Sequence, residues 1–167
     1  MGVSLMGIAT ASRHAGAMGH ALLRRGRRSL EGQIYLVTFT TAGRHPLFDS
    51  WAVAEAACRA MTAPSQWQRS RLLAWVLMPD HWHGLVELGG FDALPACVGR
   101  VKGRSSRLLR QGCPGVGPAV WAPAYHDRAL RAEEQLVDAA RYIVMNPVRA
   151  GLVQRVGDYP YWDAVWL

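Results

Sequence analysis

The chain has 167 residues, half of them apolar, with a formal net charge of +7 and a pI near 10.0. This length fits one domain with a sizeable core. No stretch approaches the roughly 20 consecutive apolar residues of a membrane span, so we expect a soluble protein. All the basic residues except Lys102 are arginines, whose guanidinium groups suit phosphate. A GC-rich genome that encodes arginine by default is the alternative explanation.

The cysteines indicate the cellular compartment, and the composition of the N-terminal residues indicates where the folded part begins. Cys58, Cys97 and Cys113 form no C-x-x-C pattern, which argues against a zinc knuckle or disulfide framework and favours the cytoplasm. Residues 1–29 carry five arginines and no acid. We interpret them as a basic, disordered tail, similar in composition to a transit peptide, and exclude them from the fold.

The first ordered elements are a strand and a helix. Residues 33–41 are rich in β-branched and aromatic side chains, which predicts a strand. Residues 48–61 predict a helix that Asp49 caps. Its apolar stripe at spacings of 3, 4 and 3 is Trp51, Ala54, Cys58 and Met61.

A β-hairpin follows, and it carries the most informative residues. Residues 72–78 are apolar, Pro79-Asp80 is a turn, and residues 81–88 return as a second strand. Side chains two apart in a strand share a face. His81 and His83 are therefore predicted to point the same way, while Trp82 points into the opposite layer.

Residues 94–110 predict a helix with one apolar and one basic stripe. The apolar positions are Leu94, Val98, Val101, Ser105 and Leu108. The basic residues are Arg100, Lys102, Arg104, Arg107 and Arg110, with no acid among them. Like charges repel at helical spacing, so a phosphate-binding face is favoured over a solvated one.

The last part of the chain completes the order of elements. Residues 119–130 look extended, and residues 132–146 predict a helix stopped by Pro147. Its core stripe is Leu136, Ala139, Ala140 and Ile143. The order β-α-β-β-α-β plus a helix predicts an α+β fold: a ferredoxin-like antiparallel sheet with helices on one face and a C-terminal helix.

Tyr142 and Asn146 lie one turn apart on that last helix and project from one side of it. If this side crosses the histidine pair, two imidazoles, an amide oxygen and a phenol converge. Such a set can bind a divalent ion and leave positions open for phosphate oxygens. The ion would polarise a phosphodiester for attack by the tyrosine.

Three blocks of sequence resemble a known family. Residues 77–85, LMPDHWHGL, are similar to the HUH motif of single-tyrosine transposases. Residues 120–131 and 142–153 (VWAPAYHDRALR and YIVMNPVRAGLV) resemble further blocks of one branch, the REP-associated tyrosine transposases (RAYTs). The resemblance runs from about Tyr35 to Trp166, so residues 30–167 would form one HUH transposase-like catalytic domain.

The resemblance implies Tyr142 as nucleophile and His81, His83 and Asn146 as ligands of Mg²⁺ or Mn²⁺. It implies a single-stranded DNA endonuclease and strand transferase in the bacterial cytoplasm, associated with the nucleoid. Its substrate would be hairpin DNA (REP-like palindromes), cleaved through a 5′-phosphotyrosine by a monomer or homodimer. DNA-binding residues would be Arg100, Lys102, Arg104, Arg107 and Arg128. Asp80 departs from the family, in which asparagine is common, and could add a negative charge beside the metal.

Several alternatives stay open. The histidines could be an ordinary hydrogen-bonded pair, and Tyr125, beside His126-Asp127, is the rival nucleophile. The His126-Asp127 pair itself could act in acid–base chemistry or be structural. The chain could also be a catalytically inactive hairpin-DNA-binding protein on the same scaffold. Zinc-based hydrolysis lacks an H-E-x-x-H helix.

Overall fold

The computed structural model describes residues 31–130 and 133–166. The predicted basic tail at 1–29 lies outside this range. The strands are β1 (Ile34–Thr40), β2 (Ser70–Met78), β3 (His81–Leu88), β4 (His126–Ala129) and β5 (Trp162–Ala164). The helices are α1 (Trp51–Thr62), α2 (Leu94–Gly112), α3 (Glu133–Val144) and the single turn α4 (Asn146–Arg149).

The strands form one antiparallel sheet in the order β4-β1-β3-β2-β5. The first four strands and the helices α1 and α2 reproduce the β-α-β-β-α-β order, which confirms the predicted α+β, ferredoxin-like fold. β5 is an additional edge strand on β2. In the described part of the chain, no helix is both long and apolar enough to cross a membrane.

Each face of the sheet has its own core. On one face, Phe39, Trp82 and Val86 pack with residues of α1 and α2, including Ala54 and Val98. The opposite face is covered by α3. Its buried residues include Val76, Leu85, Ala139, Ile143 and Ala164. The alternation along β3 therefore places Trp82 under α1 and α2 and leaves His81 and His83 on the side of α3.

The bulky centre of the histidine motif fits because a glycine follows it on the same face. Trp82 is 1% exposed and stacks on Phe39, with ring centroids 4.9 Å apart. A Cβ atom at Gly84 would lie only 2.0 Å from the Trp82 ring. The indole therefore occupies the volume of the missing side chain.

The face of α1 that is buried differs from the predicted one. Trp51 is 62% exposed and contacts Tyr161, and Cys58 is only partly buried. The N-cap is Ser50, without a side-chain cap bond, so the prediction of Asp49 was wrong. The buried positions are Val53, Ala54, Ala57, Ala60 and Met61. These positions include three alanines, whose small side chains allow close packing in the core that α1 shares with α2 and the sheet.

The second half of the chain also differs locally. In α2 the predicted stripe is buried at Leu94, Val98, Val101 and Ser105, but its last position is Leu109, whereas Leu108 is 39% exposed. Residues 119–130 form a strand only at β4, preceded by an isolated bridge between Thr41 and Trp121. Helix α3 ends at Val144, two residues before the predicted end, and Pro147 lies in the first turn of α4, where its missing N–H has no helical partner to lose.

Candidate active site

The two histidines of β3 lie side by side on the face that α3 covers. Their ring centroids are 4.7 Å apart and the rings are nearly perpendicular. His83 is buried, and its Nδ1 lies 2.6 Å from Thr38 Oγ1 on the paired strand β1. Because Nδ1 is engaged, Nε2 is the atom of His83 available to a ligand.

His81 is held by the turn that precedes it. Its Nδ1 lies 2.5 Å from Asp80 Oδ1, and the other carboxylate oxygen accepts from Arg44 Nη1 at 3.0 Å. Burial acts to raise the pKa of Asp80, but bonding and charge from His81 and Arg44 outweigh it and hold the pKa below its usual range. The negative charge that the sequence places beside the site is thus paired.

The environment keeps His83 neutral. Burial lowers its pKa from 6.5 to about 4, the charge of His81 acts in the same direction, and Asp80 opposes them. Metal ions bind the neutral imidazole. His83 is therefore in the ligand form at neutral pH without having to lose a proton.

Tyr142 of α3 meets this strand. Its ring centroid is 5.8 Å from that of His83, and the two rings are at 80°. The side chain is 38% exposed, so its hydroxyl remains reachable from solvent. The guanidinium of Arg149 lies over the same ring, 4.6 Å from its centroid. Arg149 was not predicted as a site residue, although its position seven residues after Tyr142 puts it on the same side of a continued helix.

Asn146 lies at the start of α4. Its amide nitrogen donates to the carbonyl of Tyr142 at 2.9 Å. This leaves the amide oxygen as the free acceptor of the group. Among the described residues, no cluster of three or more His, Cys, Asp or Glu could hold a metal.

A cleft of about 510 Å³ opens between the sheet and α3. It brings His83, Tyr142 and the predicted DNA-binding residue Arg128 together, while His81 and Asn146 are not in its wall. The remaining lining residues are Leu36, Thr38, His126, Asp127, Asp138 and Ala139. Thr38 is paired with both His83 and His126 across three strands. Strand register, which a single sequence does not provide, is what makes Thr38 and His126 part of this site.

Two of the predicted DNA contacts have partners within the fold. Arg100 forms a two-pronged ion pair with the buried Asp92, at 2.5 and 2.9 Å, and Ser70 also donates to that carboxylate. Lys102 Nζ donates to the carbonyls of residues 122, 123 and 124 at 2.5–3.2 Å. The charge count over the helix missed Asp92 because it lies just before the first turn.

The rest of the basic stripe lies away from the histidines. Arg104 and Arg107 are exposed on α2, and the described residues include no ion pair for either. Helix α2 packs on the sheet face opposite to α3. DNA that contacts both Arg104 and Tyr142 would therefore have to pass around the sheet.

Comparison with known proteins identifies the class. The family model described as Transposase IS200 like matches residues 29–146. The chain belongs to this family of transposases, as the motifs predicted.

Within that class the similarity is to REP-associated tyrosine transposases. The one from Escherichia coli is 28% identical over 89 residues, or 53% of this chain and 50% of the relative. The chain thus matches about half the length of this relative. A solved structure of a REP-associated tyrosine transposase bound to a REP hairpin superposes with a TM-score of 0.62 at 23% identity. The superposition covers 81% of this chain and 79% of the chain of that transposase, and establishes the shared fold.

Proposed function

We propose that the chain is a metal-dependent endonuclease and strand transferase that acts on single-stranded hairpin DNA through Tyr142. The observation that carries this proposal is the contact between Tyr142 and His83 across α3 and β3, in a cleft that Arg128 also lines. A phenol, an imidazole and a guanidinium in one solvent-reachable cleft match what phosphodiester transfer requires.

The ligands of the metal would be His81, His83 and Asn146. The residues fit a divalent cation because each histidine has Nδ1 engaged, by Asp80 or Thr38, which orients the ring and leaves Nε2 as the nitrogen that could bind the ion. Two imidazoles and one amide oxygen suit a borderline or hard divalent ion, and we propose Mg²⁺ or Mn²⁺. When bound, the ion supplies positive charge that polarises the scissile phosphate.

The protein supplies the nucleophile and the remaining charge. Tyr142 Oη forms a bond to phosphorus, the bond from phosphorus to the 3′ oxygen breaks, and a 5′-phosphotyrosine and a free 3′ hydroxyl result. The phenol proton leaves to solvent and the 3′ oxygen gains one, so the step is balanced. Arg149 and Arg128 would hold the phosphate oxygens during transfer. Attack by a 3′ hydroxyl on the phosphotyrosine reverses the step and joins strands.

We propose a REP-like hairpin as substrate because the fold is shared with a transposase whose structure holds such a hairpin. Arg104, Arg107 and Arg128 would contact phosphates. Arg100 and Lys102 would contribute less, because each already binds within the fold. We propose that the chain acts as a monomer or homodimer. We place this activity in residues 30–167, as one domain, in the bacterial cytoplasm.

The test uses an end-labelled single-stranded DNA hairpin incubated with the full chain and Mn²⁺. We expect a covalent protein–DNA adduct that survives denaturing electrophoresis and is absent with EDTA. Tyr142→Phe should abolish it, whereas Tyr125→Phe, the matched control, should retain it. Arg149→Gln should slow adduct formation about tenfold, with Arg149→Lys intermediate, because a bidentate donor is lost.

The possible results separate the candidate functions. Hairpin binding without an adduct from the unmodified chain would favour the inactive DNA-binding protein. An undiminished adduct with Tyr142→Phe would remove Tyr142 as nucleophile. Equal cleavage of duplex and single strands would contradict the proposed substrate.

A further inference from the structure

Asp80 links a surface arginine to one histidine of the site. Each of its two carboxylate oxygens has a different partner, His81 Nδ1 at 2.5 Å and Arg44 Nη1 at 3.0 Å. A carboxylate paired with a guanidinium, as Asp80 is with Arg44, can only accept hydrogen bonds. Both partners must therefore donate, which assigns the proton of His81 to Nδ1.

The backbone of the loop that follows β1 positions Arg44 beside Asp80. Arg44 is the one described residue other than glycine with a positive φ, +55°, and it follows Gly43 at +64°. The buried Thr41 fixes the neighbouring turn. Its amide donates to the carbonyl of Asp80 at 2.8 Å, and its hydroxyl lies between the carbonyls of His45 and Asp80, at 2.7 and 3.0 Å. A left-handed arginine is uncommon and costs free energy. The loop adopts this uncommon conformation at the residue whose side chain contacts Asp80.

We propose that Asp80 and Arg44 are positioning residues for metal binding by His81, an inference that rests on the proposed function. Asp80 fixes the ring and its tautomer, so that Nε2 keeps its lone pair toward the cation. Arg44 neutralises the carboxylate, so that the site gains orientation without an unpaired negative charge next to it. Carboxylates that accept from the second nitrogen of a ligating histidine commonly act in this way.

The Mn²⁺ affinities of single and double variants distinguish a positioning role of Asp80 and Arg44 from a merely structural contact. Asp80→Asn removes the charge and weakens the acceptor, and affinity for Mn²⁺ should fall roughly 10- to 100-fold. In that background Arg44 becomes an unpaired cation beside the site. Adding Arg44→Gln should then restore part of the affinity, because it removes the repulsion between the guanidinium and the metal.

The experiment measures binding of Mn²⁺ to the full chain without DNA, by the electron paramagnetic resonance signal of the free ion. The variants are Asp80→Asn, Arg44→Gln with Asp80→Asn, and His81→Ala. Asp158→Asn is the matched control, because Asp158 forms an ion pair with Arg155 in the C-terminal segment. Nitrogen-15 spectra of the imidazoles provide a second readout, in which Asp80→Asn should convert His81 from one tautomer to a mixture.

The outcomes assign any failure to one proposal or the other. Unchanged Mn²⁺ affinity and an unchanged His81 tautomer in Asp80→Asn would overturn the positioning role, while a loss in His81→Ala would leave the proposed metal site standing. Equal affinity of the unmodified chain and His81→Ala would overturn both proposals. A further loss in the double variant would overturn the neutralising role of Arg44.

Discussion

Gly84→Ala tests how the bulky centre of the histidine motif is accommodated. The new methyl group would lie 2.0 Å from Trp82 Cη2 and within 2.7 Å of two further ring carbons. The indole cannot move freely, because it is buried and stacked on Phe39. Overpacking a filled core costs about 1–3 kcal/mol, and this contact is short enough that we expect about 3 kcal/mol.

The expected result is a fall in the melting temperature of about 6–12 °C in thermal unfolding. Urea denaturation provides the free energy of unfolding separately. Gly99→Ala is the matched control, since nothing lies within 4 Å of its new Cβ on α2. It should stabilise the protein by roughly 0.5–1 kcal/mol. In the Trp82→Phe background, Gly84→Ala should cost less than about 1 kcal/mol, because the obstructing part of the ring is gone.

The reasoning predicts a coupling between two positions, and this makes it refutable. If Gly84→Ala costs as much in the Trp82→Phe background as in the unmodified chain, the indole does not occupy the space over Gly84. If Gly84→Ala and Gly99→Ala have the same effect, overpacking is not the cause of any destabilisation.

Three further predictions concern charged and titratable residues. Arg100→Gln should lower the free energy of unfolding by about 2–3 kcal/mol, because it leaves the buried Asp92 without its ion pair. Arg104→Gln should change stability by less than about 0.5 kcal/mol but reduce the salt dependence of hairpin binding by about one counterion. If Arg100→Gln instead left stability unchanged and reduced this salt dependence, Arg100 would be a DNA contact rather than a structural residue. In EDTA, stability should fall by up to about 3 kcal/mol as pH drops from 6.5 to 4. The unfolded chain then takes up a proton that His83 in the folded chain does not, and stability is retained above pH 6.5. His83→Gln should remove this part of the pH dependence, and parallel curves would contradict it.

Much of the candidate site follows from local patterns in the sequence. The two-residue period of a strand puts His81 and His83 on one face, and the hairpin turn between residues 78 and 81 fixes that strand without long-range information. The interior stripe of α3 was likewise predictable, since Ala139 and Ile143 are buried as its spacing indicated. These features depend on residues that are close along the chain.

What the sequence could not provide depends on packing between distant segments. Nothing in the composition of α2 states which sheet face it covers, so the sequence alone did not show that its basic stripe lies on the face opposite to the histidines. The partner of Arg100 lies before the helix, and the partners of Lys102 lie twenty residues after it. The buried face of α1 differed from the prediction for a related reason. Hydrophobicity favoured Trp51 as a buried residue, but close packing with α2 and the sheet favoured alanines.

The two outermost strands of the sheet have a consequence for the mobility of Tyr142. Helix α3 follows β4 at one edge of the sheet and is followed by β5 at the other. Tyr159 reinforces the second attachment by donating to the carbonyl of Leu77 at 2.7 Å. The tyrosine helix is therefore tethered at both margins of the sheet, and only the segment between Val144 and Trp162 gives it slack. If the helix were handed to a second copy of the chain, that segment would have to span the distance between the two copies while β5 stays paired with β2.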